Sequence, residues 1–169
     1  MAISFINFND YIPNDSQIID TNCFNGKTNL DFVVIPTYIT KIKECAFERC
    51  HNLVSIVLPP NLEEIDNRTF AYCCNLRSIT IPDSVTKLGE ESFLYCENLT
   101  SIKLPSNLKH ISKSCFNNCS SLESIVLPDS LTQIDNFNFV NCHNLKSLVI
   151  PNGVKKIGMG CFEGCKNLN

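Results

Sequence analysis

The apolar residues of this chain fall into columns. A step of 23 residues from Ile12-Pro13 lands on Ile35-Pro36, Leu58-Pro59, Ile81-Pro82, Leu104-Pro105, Leu127-Pro128 and Ile150-Pro151, with no insertion or deletion between registers. With Ile12 as position one, position eight reads Ile19, Ile42, Ile65, Leu88, Ile111, Ile134 and Ile157, and position thirteen is Phe in every register from Phe24 to Phe162. Position nineteen is Leu from Leu30 to Leu168, and position twenty-two reads Val33, Ile56, Ile79, Ile102, Ile125 and Leu148. A period of this length, with columns that never turn polar, marks a stacked array whose single unit cannot bury its own apolar face.

The spacing within a unit predicts its elements. Leu53, Ile56 and Leu58 make the pattern L-x-x-I-x-L, whose last two alternate with outward residues as a short strand requires, and Pro59 ends the hydrogen bonding. Each repeat therefore owns one strand, near positions twenty to one. Leu62 and Ile65 lie three apart, as do Phe70 and Cys73, which fits apolar contacts from turns or short helical segments. Asp20, Asp66, Ser112 and Asp135 at position nine are competent helix N-caps. The expectation is an α/β solenoid over residues 12–169, seven units with the last incomplete, carrying a parallel sheet and short helical or irregular segments opposite it. Residues 1–11, with Ile3, Phe5, Ile6 and Phe8, are expected to form an N-terminal capping segment.

The run L-x-x-I-x-[IL]-P, followed by apolar residues at steps of three and then F-x-x-C, resembles the leucine-rich repeat. The match is to its 23-residue class, known from BspA-like surface proteins of mucosal bacteria and anaerobic protists. The resemblance spans essentially all of residues 12–169. It implies a right-handed superhelix with a concave parallel sheet, and a protein-binding or adhesive role without catalytic residues.

Composition narrows the function classes. The chain has 169 residues, 44% of them apolar and 18% charged, with 14 basic against 17 acidic side chains and a net charge of −3. The basic residues are scattered, so no footprint for a phosphate backbone forms, and no nucleic-acid partner is expected. No apolar run approaches the roughly 18 residues that span a bilayer, so membrane insertion is not expected either. With only six glycines there is no glycine-rich phosphate loop. No Ser/His/Asp or Cys/His constellation can be assembled from the sequence, and His51 and His143 stand four repeats, about 19 Å, apart. Neither enzyme activity nor a cofactor is expected.

Of the 11 cysteines, Cys50, Cys73, Cys96, Cys119, Cys142 and Cys165 form position sixteen. A core-facing column of this kind reads as small buried filler, since parallel side chains on adjacent turns do not meet disulfide geometry. Cys115 with Cys119, and Cys161 with Cys165, have a spacing that zinc also uses. Cys74 follows the core column into the turn and is the thiol expected to be exposed. Asn residues fill position eighteen in every repeat but one, which reads as left-handed turn chemistry. The sequons at Asn14, Asn67, Asn98 and Asn118 arise easily in so Asn-rich a chain.

The candidate binding surface is the outward side of the strands. It comprises Phe32, Ser55, Ser78, Ser101, Ser124 and Ser147 at position twenty-one, and Val34, Val57, Thr80, Lys103, Val126 and Val149 at position twenty-three. Arg77 belongs to the varied rim at position twenty. β-branched residues suit a pleated surface in any case, but an apolar strip rimmed by hydroxyls and charges also favours docking of a protein partner. The competing expectation is a homo-oligomer joined through an uncapped end, because the chain stops within a repeat at Asn167-Leu168-Asn169. Lys146, Val149, Cys161 and Leu168 would form that edge, unless a longer array has been cut short. Abundant thiols and the missing secretory signal favour a reducing cytoplasm, whereas the family resemblance favours the cell surface by unconventional export.

Overall fold

Each repeat closes one turn of a coil, and the first five contribute two short strands each where the sequence pattern predicts one. The architecture is taken from a computed structural model that describes residues 11–13 and 16–169. Strands β1 (Ile18–Ile19), β3 (Lys41–Ile42), β5 (Glu64–Ile65), β7 (Lys87–Leu88), β9 (His110–Ile111), β11 (Gln133–Ile134) and β12 (Lys156–Ile157) form a seven-stranded sheet. Strands β2 (Phe32–Val34), β4 (Ser55–Val57), β6 (Ser78–Thr80), β8 (Ser101–Lys103) and β10 (Ser124–Ile125) form a second sheet, prolonged by a bridge from Ser124 to Ser147. All pairings are parallel and join equivalent positions, such as Ile42 to Ile65 and Val33 to Ile56.

No helix forms among the described residues, so the helical part of the α/β expectation does not stand; the molecule is a parallel-strand β-solenoid. The physical reason lies between positions nine and sixteen. Positions eleven and fifteen adopt positive φ in all seven turns, for example Arg68 at 54° and Tyr72 at 61°, with Gly26, Gly160 and Gly164 filling three of these places. A left-handed residue every fourth position cannot propagate a helix. Instead, the N–H groups of positions eleven, thirteen and fifteen reach the next turn. Phe47 N–H donates to the Thr69 carbonyl at 2.9 Å, Arg68 to Glu90 at 2.8 Å and Tyr72 to Leu94 at 2.7 Å. The intervening N–H groups close tight turns onto carbonyls three residues back, as Cys50 does onto Phe47 at 3.2 Å. The expected N-caps serve other ends: Asp66 Oδ1 accepts the Asn67 N–H, and Ser112 Oγ donates to the Leu88 carbonyl of the preceding turn.

The core between the sheets is a set of ladders running along the stack. The Phe rings of position thirteen stack from Phe24 to Phe162 with centroids 5.0 to 5.7 Å apart and planes within 20° of parallel. This offset stacking adds to the gain from burial. Tyr11 closes the ladder at the N-terminal side, its ring 5.2 Å from Phe24 and beneath the Lys27 ammonium. The rest of the expected capping segment lies outside the described residues. Beside the rings, each position-sixteen cysteine turns its Sγ to the Phe carbonyl of the preceding turn, as Cys73 does to Phe47 at 3.2 Å and Cys96 to Phe70 at 3.2 Å. That carbonyl already accepts the N–H of its own turn's position sixteen, so the thiol satisfies its second lone pair.

Across the outer edge an ionic clamp joins three turns. Arg68 donates from Nη2 to the buried Glu48 carboxylate at 2.6 Å and from Nη1 to Glu91. Burial alone would raise the Glu48 carboxyl, but hydrogen bonds from Arg68 and Cys45 outweigh it and hold the group below its ordinary range.

The ladders make two expectations quantitative. Phe93→Ala, in a fully buried central ring, should cost about 3–5 kcal/mol, and Phe162→Ala in the last turn distinctly less, as measured by urea unfolding. Arg68→Ala should cost about 1–3 kcal/mol at neutral pH by stranding the Glu48 carboxylate. Because the folded Glu48 value is depressed, its contribution is present above the unfolded value and lost as pH falls through the folded one. The difference between Arg68→Ala and wild type should therefore shrink on acidification.

Candidate functional site

Alternation along β2, β4, β6, β8 and β10 sends position twenty-two into the core and positions twenty-one and twenty-three outward. The candidate residues thus lie on one continuous face. Ser78, Thr80, Ser101, Lys103, Ser124 and Ser147 are exposed, as are Val34 and Val57, while Phe32 and Ser55 are half-buried. Val126 and Val149 are the barest, at 82% and 81% exposed. Parallel pairing aligns these side chains: Ser78 sits beside Ser101, and Thr80 beside Lys103.

Shallow clefts open along this face beside the proline loops. One, of about 590 Å³, is lined by Lys103, Leu104, Ser106, Val126, Pro128 and Asp129. Another runs past Ser55, Val57, Pro60, Ser78, Thr80 and Pro82, and a third past Val126, Ser147, Val149 and Pro151. Across the loop, Asp83 accepts the Ser106 N–H at 2.7 Å; this bond, with the Ser106 hydroxyl next and Lys103 last, holds its carboxyl below the ordinary range. The floor is therefore apolar with hydroxyls, and its loop side carries charge. Arg77 stands on the opposite rim, in a recess with Val54, Asn75, Asn98 and Thr100.

The edge residues fare differently. Lys146 forms an exposed pair with Glu123 at 3.6 Å, and Leu168 is half-buried. Cys161, named with that edge, is instead 3% exposed and turns its Sγ to the Asp135 carbonyl at 2.9 Å. The terminal turn nevertheless shows its interior: Ile157 is 46% exposed, whereas Ile19 at the same position of the first turn is fully buried.

All 11 cysteines are free. Desolvation pushes the Cys50 and Cys115 thiols up to about 12 and drives Cys73, Cys96 and Cys119 well above the ordinary range, which keeps them protonated. Among the described residues no group of three or more His, Cys, Asp and Glu side chains is placed to hold a metal, so the two zinc-like spacings do not assemble one. No helix of the described residues is long and apolar enough to cross a membrane.

Two readings of side chains change. The position-eighteen asparagines do not supply the left-handed residues; they reach back across turns, as Asn52 Nδ2 does to the Thr28 carbonyl at 2.7 Å. A Cys/His contact also exists: Cys74, half-buried, lies 3.7 Å from His51 Nδ1. The signal was present in the sequence, since both occupy position seventeen of adjacent repeats, and parallel stacking makes equal positions neighbours.

Known proteins share this architecture. A leucine-rich repeat protein of T. pallidum superposes with a TM-score of 0.86 at 33% identity, covering 90% of this chain and 71% of that one. A leucine-rich repeat protein of Bacteroides ovatus gives 0.66 at 29% identity over 83% of this chain. A leucine rich cell surface protein of Faecalibacterium prausnitzii gives 0.66 at 28% over 93%. The chain spans 43% and 51% of the lengths of these last two. No curated protein sequence matches. The model of the BspA type leucine rich repeat region matches residues 17–142 in six copies, and the chain belongs to that family.

Proposed function

We propose that the protein is a non-enzymatic scaffold that binds a protein partner on the outward face of β2 to β10. Leucine-rich repeat proteins generally serve as interaction scaffolds, which supports the class; the partner and any adhesive role are part of the proposal. The observation that carries it is the bare valine column. Val126 and Val149 contribute nothing to the core, yet leave apolar surface beside clefts rimmed by Lys103 and Asp129. An apolar floor with a charged rim is what a docking protein finds favourable.

A second reading rests on the last turn. By the ladder rule, the N–H groups of Gly160, Phe162 and Gly164 point to where another turn's carbonyls would lie, and among the described residues they have no acceptor. Ile157 and Met159, 68% exposed, lie on the same side. A second copy of the chain stacked on this turn, or a further turn, would supply the acceptors. For location, the free thiols support a reducing compartment. The naming of the F. prausnitzii relative as a cell surface protein supports the alternative.

Replacing Val57, Val126 and Val149 together by Glu should abolish capture of the partner in affinity isolation while leaving the circular dichroism and urea midpoint close to wild type, since the sites are exposed. Capture unaltered by the triple change would move the site off this face. For the second reading, sedimentation at tens of micromolar should show an oligomer that Ile157→Lys with Met159→Glu converts to monomer; a wild-type monomer under those conditions removes it.

A further inference from the structure

One thiol stands apart from the other ten. The position-sixteen cysteines face Phe carbonyls, Cys161 faces the Asp135 carbonyl, and Cys115 shares a hydrogen with Ser92 at 3.1 Å. Cys23 faces the Tyr11 carbonyl at 3.9 Å. Cys45 is pushed up to about 11, by burial and then by its hydrogen bond to the Glu48 carboxylate, which opposes a thiolate. None of these partners is a base that takes the proton without repelling the anion left behind. Cys74 alone, among the described residues, has an imidazole beside its sulfur: Sγ lies 3.7 Å from His51 Nδ1 and 3.4 Å from the Tyr72 carbonyl.

The fold builds this pair. Position seventeen carries His51, Cys74 and Glu97 on three successive turns, and parallel stacking lines them up outside the core. His51 and Glu97 are exposed and Cys74 is half-buried, so a small solute can reach the sulfur. The titratable groups facing Cys74 are His51, Glu97 and the buried thiols of Cys73 and Cys96. Burial first, and Glu97 second, push the Cys74 thiol up, so it rests protonated. A protonated thiol beside an imidazole nitrogen is an arrangement in which a base can take the proton during attack.

We propose that Cys74 is a site of thiol–disulfide exchange in which His51 acts as the proton acceptor. The Cys74 sulfur attacks one sulfur of a low-molecular-weight disulfide, its proton passing to His51 Nδ1. The S–S bond of the reagent breaks, and the departing thiolate takes a proton back from the imidazolium. One new S–S bond replaces one old, and the reagent's second half leaves as a thiol. The product is a mixed disulfide on the outer edge of the third turn, which leaves the buried Cys ladder intact and places a removable group beside Glu97.

The test uses the native protein and oxidised glutathione, read by intact mass and peptide mapping. One adduct per chain should form first, on Cys74, and Cys74→Ser should form none on that timescale. His51→Gln should slow the reaction by at least about tenfold. Added imidazole should restore part of the lost rate, with circular dichroism unchanged. Glu97→Gln should react faster than wild type. A first adduct on Cys23, Cys45 or Cys165, no adduct on the native protein, or a His51→Gln rate equal to wild type would each overturn the proposal.

Discussion

The alternating hydrogen bonds of positions eleven to sixteen hold the rest of the structure in place. Three N–H groups per turn cross to the following turn and the groups between them close back on their own, at each of the junctions between neighbouring turns. The crossing bonds set the pitch, the pitch puts one Phe ring on the next at 5.0 to 5.7 Å, and the same offset brings each Cys Sγ to a Phe carbonyl. The conformation is costly, since eleven of the described residues other than glycine sit at positive φ. It persists because every turn repeats it, so each strained residue gains a bond to its neighbour. This explains why the columns of the sequence tolerate neither insertion nor deletion: a slip of one residue would break three crossing bonds and misplace a ring and a thiol together.

The stack was legible in the sequence because burial leaves a chemical mark at fixed spacing. Ile19, Phe24 and Leu30 and their equivalents are apolar for a reason that composition records, and the parallel outward face followed from the alternation around Ile56 and Ile79. The outer segment was not legible. Leu62 with Ile65 and Phe70 with Cys73 have the spacing of helical neighbours, and a chain of tight turns produces the same spacing. Several left-handed positions hid because Arg68, Tyr72, Glu91 and Phe137 occupy them, residues that carry no signal for that conformation, whereas Asn22, Asn118, Asn141 and three glycines do carry it. The column of asparagines at position eighteen drew the expectation instead, and Asn52 there bonds across turns. Two-residue strands such as Glu64–Ile65 are likewise too short to show an alternation.

For the candidate site, the same repetition separates what the fold requires from what it leaves free. Position twenty-two is apolar throughout, but position twenty-three runs from Val57 through Thr80 and Lys103 to Val126, and position seventeen from His51 through Cys74 to Glu97. Both lie outside the core, and stacking turns unrelated letters 23 residues apart into neighbours. The outward sheet face and the His51–Cys74 contact arise in this way from one rule. The rule also gives the coil a direction, since the crossing donors of each turn face the next, and those of Gly160, Phe162 and Gly164 have no acceptor among the described residues.

A coil held by nearest-neighbour bonds should not be uniformly stable. Native-state hydrogen exchange resolved by residue tests this most directly. The amides of Phe70, Phe93 and Phe116, bonded to the next turn and buried, should exchange only with global unfolding, and those of Gly160, Phe162 and Gly164 should exchange fastest of their columns in the monomer. Equal protection of Phe93 and Phe162 in a monomeric sample would contradict the account.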